Sequence, residues 1–168
     1  MNGKKVHEGE RIKFERLEQI GKGGNGAVYK VNIIEGDITY PVVAKFFNYF
    51  KADKEKRYNR FKKEVSVISK LQGEIAGIIN ILDKNCPENV PNDGDTAWYL
   101  MPEASPYRLK INKNLLLKID DMLSIALTIS KLHKRNLAHR DIKPENILLL
   151  NNCIILSDFG LVWTSSQE

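Results

Sequence analysis

The stretch His139-Arg140-Asp141-Ile142-Lys143-Pro144-Glu145-Asn146, with Asp158-Phe159-Gly160 a short way beyond it, concentrates the chain's chemistry. Asp141 offers a carboxylate that can accept a hydroxyl proton, and Lys143 an ammonium that can neutralise a transferring phosphoryl group. Asn146 and Asp158 offer the hard oxygen ligands that suit magnesium. Any one of these residues would also suit a solvated loop, but their order and spacing together are hard to reconcile with one. Between the two motifs, Ile147 to Leu150 and Ile154 to Leu156 flank the turn signal Asn151-Asn152, and read as a hairpin with polar residues at both outer ends.

Upstream, residues 115–133 carry Ile119, Met122, Leu123, Ile125, Ala126, Leu127, Ile129 and Leu132. These positions cover more than one face, so the pattern predicts a long helix buried on several sides. From Glu15 to Phe50 the pattern is instead β-rich runs broken by glycine: Leu17 to Ile20, Ala27 to Val31 and Tyr40 to Phe47, with Gly36-Asp37 as hairpin chemistry between the last two. Residues 54–72 change period, since Phe61, Val65, Ile68 and Leu71 fall near helical spacing behind a charged lead-in. Ile78 to Leu82 and Ala97 to Met101 read as two further strands joined by a loop over 83–95. Five strands and one helix make a small α+β lobe, and Ser105 to Asn114 looks like its connection to a second unit.

Two constellations lie in that lobe. Gly21-Lys22-Gly23-Gly24-Asn25-Gly26-Ala27-Val28 is a G-x-G-x-x-G-x-V run between two strands, where glycines let backbone amides approach a polyphosphate. In a dinucleotide fingerprint the same glycines open a helix, which counts against that reading. Lys45 sits inside the apolar Val42-Val43-Ala44, and an ammonium there calls for a counter-charge. Glu64 is the candidate, three residues after Phe61 on the inward stripe. Two exposed charges on frayed elements would leave the same local pattern, and only the later motifs weigh against that.

Composition bounds the rest. With 168 residues, 42% hydrophobic and 28% charged, the chain is ordinary globular protein rather than disordered or fibrous. No run of about 18 apolar residues occurs, and Met1-Asn2-Gly3-Lys4-Lys5 is followed by charge, which disfavours membrane spans and secretion. Cys86 and Cys153 are too few and too far apart for a disulfide framework, so reduced thiols and a cytoplasmic location are expected. A net charge of +5 suits a phosphate-bearing ligand without demanding nucleic acid. Lys51 to Lys63 interleaves Asp53 and Glu55 with the bases and reads as a solvated helix face. Neither a nucleic-acid nor a membrane partner is expected.

In chain order, the glycine loop, a V-A-I-K-like strand, a helix glutamate, H-R-D-I-K-P-E-N and D-F-G resemble the eukaryotic-type protein kinase family. The resemblance runs from about Ile12 to Val162, and Lys143 is the form similar to Ser/Thr kinases. It implies an α+β, protein-kinase-like fold: a five-stranded antiparallel N-lobe with the family's αC helix, followed by the first part of a helical C-lobe. The implied boundaries are a tail over 1–11, an N-lobe over 12–101, a hinge and linker over 102–114, and a partial C-lobe over 115–168.

The resemblance also implies roles and ligands. ATP would lie under Ile20, Gly21, Lys22, Gly23, Gly24, Asn25 and Gly26, with Lys45 on its α- and β-phosphates and Glu64 pairing Lys45. Val28, Val43 and Leu148 would sandwich the adenine; Met101 would be the gatekeeper, and the Pro102 carbonyl and Ala104 amide would bond the adenine edge. Asp141 would orient and deprotonate a protein hydroxyl beside Lys143, and Asn146 and Asp158 would hold Mg2+. Ile68, His139 and Phe159 would stack between the lobes.

Three departures stand out. Val43 replaces the usual alanine, and its extra methyl groups would tighten the adenine pocket. Asn25 replaces an aromatic or serine, a change expected to be tolerated. The sequence ends at Glu168, before any A-P-E motif, so the helix over 115–133 is expected to show an apolar patch that predicts a continuation, a partner chain or poor solubility. Thr164, Ser165 and Ser166 are candidate phosphosites, although plain loop residues fit as well. The leading expectation is Ser/Thr phosphorylation of a protein substrate. A nucleotide-binding or regulatory module without turnover is the alternative, and a small-molecule phosphotransferase fits Lys143-Pro144-Glu145-Asn146 less well.

Overall fold

The computed structural model describes residues 5–23, 25–49, 52–107 and 115–164, the last beginning with backbone alone for 115–117. Strands β1 (Val6–Glu8), β2 (Lys13–Lys22), β3 (Gly26–Glu35) and β4 (Val42–Phe47) precede helix α1 (Lys54–Leu71), then β5 (Asp83–Asn85), β6 (Trp98–Pro102) and β7 (Ser105–Pro106). Helix α2 (Leu115–His133) leads to β8 (Leu137–Ala138), a 3-10 turn at Pro144–Asn146, the hairpin β9 (Ile147–Leu150) and β10 (Cys153–Leu156), and β11 (Trp163–Thr164).

One antiparallel sheet carries the order β1-β2-β3-β4-β6-β5. Its central strand β4 is buried at every position, so alternate side chains feed two different cores. Ala44 and Phe46 point to an outer cluster with Ile12, Phe14, Trp98 and Leu100. Val43 and Phe47 point to the main core, which α1 closes with Tyr58, Phe61, Val65, Ile68 and Leu71. Each fully buried Phe or Ile there contributes roughly 1.5–3 kcal/mol. Lys45 shares that inner face, which is why its position is decided by the sheet.

The N-terminal segment read as a tail contains a strand. In β1 only His7 points inward, pairing with Phe14 across β2, and a lone polar residue leaves no apolar period to read. Beyond it, the buried Asp83 carboxylate accepts from the backbone amides of Arg11 at 2.9 Å and Ile12 at 2.8 Å, and so pins this segment to β5. The expected strand over 78–82 lies instead at Asp83–Asn85. Ile78, Ile79 and Ile81 are apolar because they pack into the main core, and Ile78 makes only an isolated parallel bridge to Leu156.

Helix α2 shows the expected apolar patch. Ile125, Thr128 and Leu132 are buried on one stripe, whereas Ile119, Met122, Leu123 and Leu127 are exposed. Among the described residues nothing covers that second stripe. The hairpin is as read: Asn151 and Asn152 adopt φ of 49° and 64°, the positive values a two-residue hairpin turn requires. Ser105 and Pro106 join its edge opposite Leu149 and Leu148, while 108–114 of the expected linker lie outside the described residues.

His7 stacks on Phe14 at 5.2 Å and meets Phe46 edge-on at 4.8 Å, and its Nε2 has no hydrogen-bond partner. Burial, reinforced by the Arg16 guanidinium, holds its pKa down at about 4. The folded state therefore binds fewer protons than the unfolded chain between its ordinary pKa and about 4, so stability falls as pH drops through that window. Urea midpoints at pH 7 and pH 4.5 are expected to differ more in the unaltered chain than in His7→Phe; equal differences would discount His7.

Candidate active site

Across the inner face of the sheet, Lys45 Nζ donates to Glu64 Oε1 at 2.7 Å and to Oε2 at 2.8 Å, with the carboxylate fully buried on α1. Tyr99, opposite Lys45 on β6, donates its hydroxyl to Glu64 Oε1 at 3.0 Å. Burial opposes both charges, but the Glu64 carboxylate, aided by Asp158, prevails and holds Lys45 above its ordinary range. Burial likewise pushes Glu64 up, with the ammonium pulling it back. Two bonds to the ammonium and one to the phenol satisfy the carboxylate, and the charged pair is the state that fits them. The two residues first read as exposed charges or a pair are a pair.

The ammonium also lies 3.8 Å from Asp158 Oδ1. Asp158 has φ of 60°, a left-handed value that is uncommon outside glycine, and Arg140 has φ of 64°. Both mark sharp turns at the ends of the two polar motifs. Between them His139 is buried, its ring 4.7 Å from that of Phe159. His139 Nδ1 accepts from the Asp141 backbone amide at 3.3 Å, so Nε2 carries the proton and donates to the Ser157 carbonyl at 3.1 Å. Burial holds its pKa below the usual value, which keeps this tautomer neutral.

Asp141 is held by three hydrogen bonds from two residues. Lys143 Nζ donates to its Oδ2 at 2.8 Å, and Asn146 Nδ2 donates to the same oxygen and to the Asp141 carbonyl, each at 2.9 Å. The Lys143 hydrogen bond holds the Asp141 pKa below the ordinary carboxylate range, so the group is ionised at neutral pH. Asn146 is fixed in turn by its backbone, which donates to the Lys143 carbonyl and accepts from Ser157 at 3.0 Å. With the Asn146 amide nitrogen committed, its carbonyl oxygen is left as a ligand atom.

The glycine loop closes over this region. Gly23 N donates to the Gly26 carbonyl at 2.8 Å, and Gly21 pairs with Val28. A methyl on Gly26 would lie 2.6 Å from the Phe46 carbonyl and 3.2 Å from the Lys45 side chain, so a larger residue would push the loop off Lys45. Gly24 lies outside the described residues, and Ile20 and Lys22 are exposed on the loop's outer part. Val43 and Met101 belong to the main core, and Val28, Ala104 and Leu148 pack half-buried against it, forming two apolar walls. Pro102 pairs with Val42, and the hinge is tied back by Glu103 N donating to the Pro41 carbonyl at 2.9 Å. Two cavities, of about 700 and 440 Å³, lie elsewhere, on the outer faces of α1 and of the sheet.

A family model for the protein kinase domain matches residues 14–168. The chain belongs to the protein kinase domain family. Similar proteins include a probable serine/threonine-protein kinase of Clostridium acetobutylicum, 30% identical and covering 94% of this chain and 23% of that protein. A probable serine/threonine-protein kinase of Clostridium perfringens is 28% identical over 89% of the chain and 21% of its own length. The Aurora kinase of Saccharomyces cerevisiae is 29% identical over 95% of the chain and 45% of its own length. The chain thus spans less than a quarter of the two clostridial relatives.

In this kinase-family chain, the Asp158 carboxylate and the side-chain Oδ1 of Asn146 fit Mg2+ by donor chemistry. Among the described residues no three His, Cys, Asp or Glu side chains gather as a metal cage. Mg2+ takes one or two protein oxygens and fills the rest of its sphere with water and phosphate. Tyr99 was missed by sequence reading; its signal was the register that sets it opposite Lys45 on the same sheet face.

Glu64→Gln strands a buried ammonium and is expected to lower stability by about 3 kcal/mol. Lys45→Met combined with Glu64→Leu should recover most of that loss. Urea denaturation of the unaltered chain, Lys45→Met, Glu64→Leu and the double variant measures the coupling, and simple additivity would show that the two groups do not act as a pair.

Proposed function

We propose that this chain carries out ATP- and Mg2+-dependent phosphoryl transfer to Ser or Thr hydroxyls of protein substrates. The observation that carries the reading is the Asp141 carboxylate, held by both Lys143 and Asn146, on the same cleft as the Lys45–Glu64 pair. Lys45 would bind the α- and β-phosphates, its direction set by Glu64 and, through Glu64, by Tyr99. The glycine loop would cover the phosphates, and the apolar walls of Val28, Val43 and Leu148 would take the adenine. Asp141 would orient the acceptor hydroxyl and take its proton as that oxygen bonds to the terminal phosphorus. The bond from that phosphorus to the bridging oxygen breaks, and ADP leaves. Lys143 would offset charge on the transferring group. Asn146 and Asp158 would hold Mg2+, whose positive charge would offset the charge developing on the phosphates.

The Ser/Thr assignment is supported by Lys143 in the catalytic loop and by the names of the clostridial relatives. A second reading, a nucleotide-binding module without turnover, is favoured by the uncovered apolar stripe of α2, which a partner chain would suit.

Thermal melting with and without Mg-ATP is expected to show a rise in Tm for the unaltered chain that Lys45→Met and Asp158→Ala both lose. Transfer of labelled phosphate to a generic protein is then expected, and Asp141→Asn should reduce it by at least 100-fold, within the range of general-base contributions. A Tm rise without transfer would favour the module reading, and no rise would sink both.

A further inference from the structure

Glu64 is tied to Lys45 through both carboxylate oxygens, but the two oxygens are not equivalent. Oε1 accepts from the Lys45 ammonium at 2.7 Å and from the Tyr99 hydroxyl at 3.0 Å, whereas among the described residues Oε2 accepts from the ammonium alone, at 2.8 Å. Tyr99 is fixed in place: it is buried, its ring centroid lies 5.7 Å from that of Phe61, and the register of β4 and β6 sets it opposite Lys45. Burial, with the Glu64 carboxylate beside it, pushes the Tyr99 phenol well above its ordinary range, so the hydroxyl keeps its proton and stays a donor. The ammonium is the group that can turn. Of its three hydrogens two are on Glu64, and it faces Asp158 Oδ1 at 3.8 Å. To reach oxygens of two phosphates it must withdraw one hydrogen from Glu64, and a fully buried carboxylate oxygen left without a donor is costly. Only Oε1 keeps a second donor after such a withdrawal.

We infer that Tyr99 is a positioning residue for the nucleotide phosphates: its hydroxyl keeps Glu64 Oε1 satisfied when Lys45 turns a hydrogen from that oxygen to a phosphate, while Oε2 retains the ammonium and α1 keeps its place. The inference rests on the phosphotransfer reading above and adds to it a residue that acts through Glu64 and Lys45. In the unoccupied cleft the hydroxyl is dispensable to the pair, since Lys45 already bonds both oxygens. It becomes necessary when the ammonium has a second acceptor to serve.

The test is the affinity of the chain for adenosine and for the Mg2+ complex of a non-hydrolysable ATP analogue, by titration calorimetry, in the unaltered protein, Tyr99→Phe, Lys45→Met and the double variant. Tyr99→Phe keeps the ring and leaves both Glu64 oxygens on the ammonium, so it is expected to melt cooperatively. It should weaken the triphosphate about tenfold, the size expected of a hydrogen bond to a charged group, and leave adenosine unchanged. In Lys45→Met no ammonium hydrogen is shared, and adding Tyr99→Phe should cost no further triphosphate affinity. Equal weakening of adenosine and triphosphate by Tyr99→Phe would mean that the hydroxyl only shapes the pocket, and loss of the cooperative melt would make it a brace of the unoccupied fold; either result overturns the inference. So would an unchanged triphosphate affinity, or the same loss with and without Lys45, and both would leave nucleotide binding intact. If the unaltered chain binds neither adenosine nor the triphosphate, the phosphotransfer reading fails and the role of Tyr99 with it.

Discussion

An ammonium buried in the middle strand of a sheet is the constraint around which this molecule is organised. Lys45 cannot sit in an otherwise apolar β4 unless a carboxylate reaches it, and Glu64 can reach it only if α1 packs squarely on the inner face of the sheet. Phe61, Val65 and Ile68 hold the helix at that depth, and Tyr99 secures the carboxylate from the next strand. A pair of this kind contributes little net stability, since desolvation offsets most of its attraction. Its use is directional: it fixes a cation at one point of the cleft, facing Asp158.

The second half of the site is built differently. Asp141, Lys143 and Asn146 bond to one another within one turn, and the backbone of Asn146 is fastened to Ser157 just ahead of Asp158. The neutral His139 bridges the same two segments, and its ring rests on Phe159. The Asp141 and Asp158 carboxylates are thereby held on one frame. The hairpin β9–β10 spaces them, and its tight turn sets the register. Among the described residues, the Lys45 ammonium meets this frame at Asp158 Oδ1, 3.8 Å away.

Much of this was legible before any coordinates. The order of the glycine loop, Lys45, Glu64, His139 to Asn146 and Asp158-Phe159-Gly160 is readable because each motif is local, with its residues within one turn of backbone. The hairpin was readable for the same reason, since Asn151-Asn152 states its own conformation. The strand at 6–8 was not, because its one inward residue is a histidine among aromatic rings. The run 78–82 was misplaced because apolar residues packed under a helix look the same in sequence as those of a buried strand. The stripe Ile119, Met122, Leu123 and Leu127 shows the limit of periodicity: it records that a face is apolar, and not what covers it.

By itself the sequence determined the family and the order of its motifs, because these are properties of short contiguous segments. Only the tertiary structure decided that Lys45 and Glu64 are partners rather than two solvated charges, and that Tyr99 belongs to them. Those contacts join residues far apart along the chain. They depend on sheet register and on the depth at which a helix packs, and both are set by the summed burial of many side chains, none of which specifies the geometry alone.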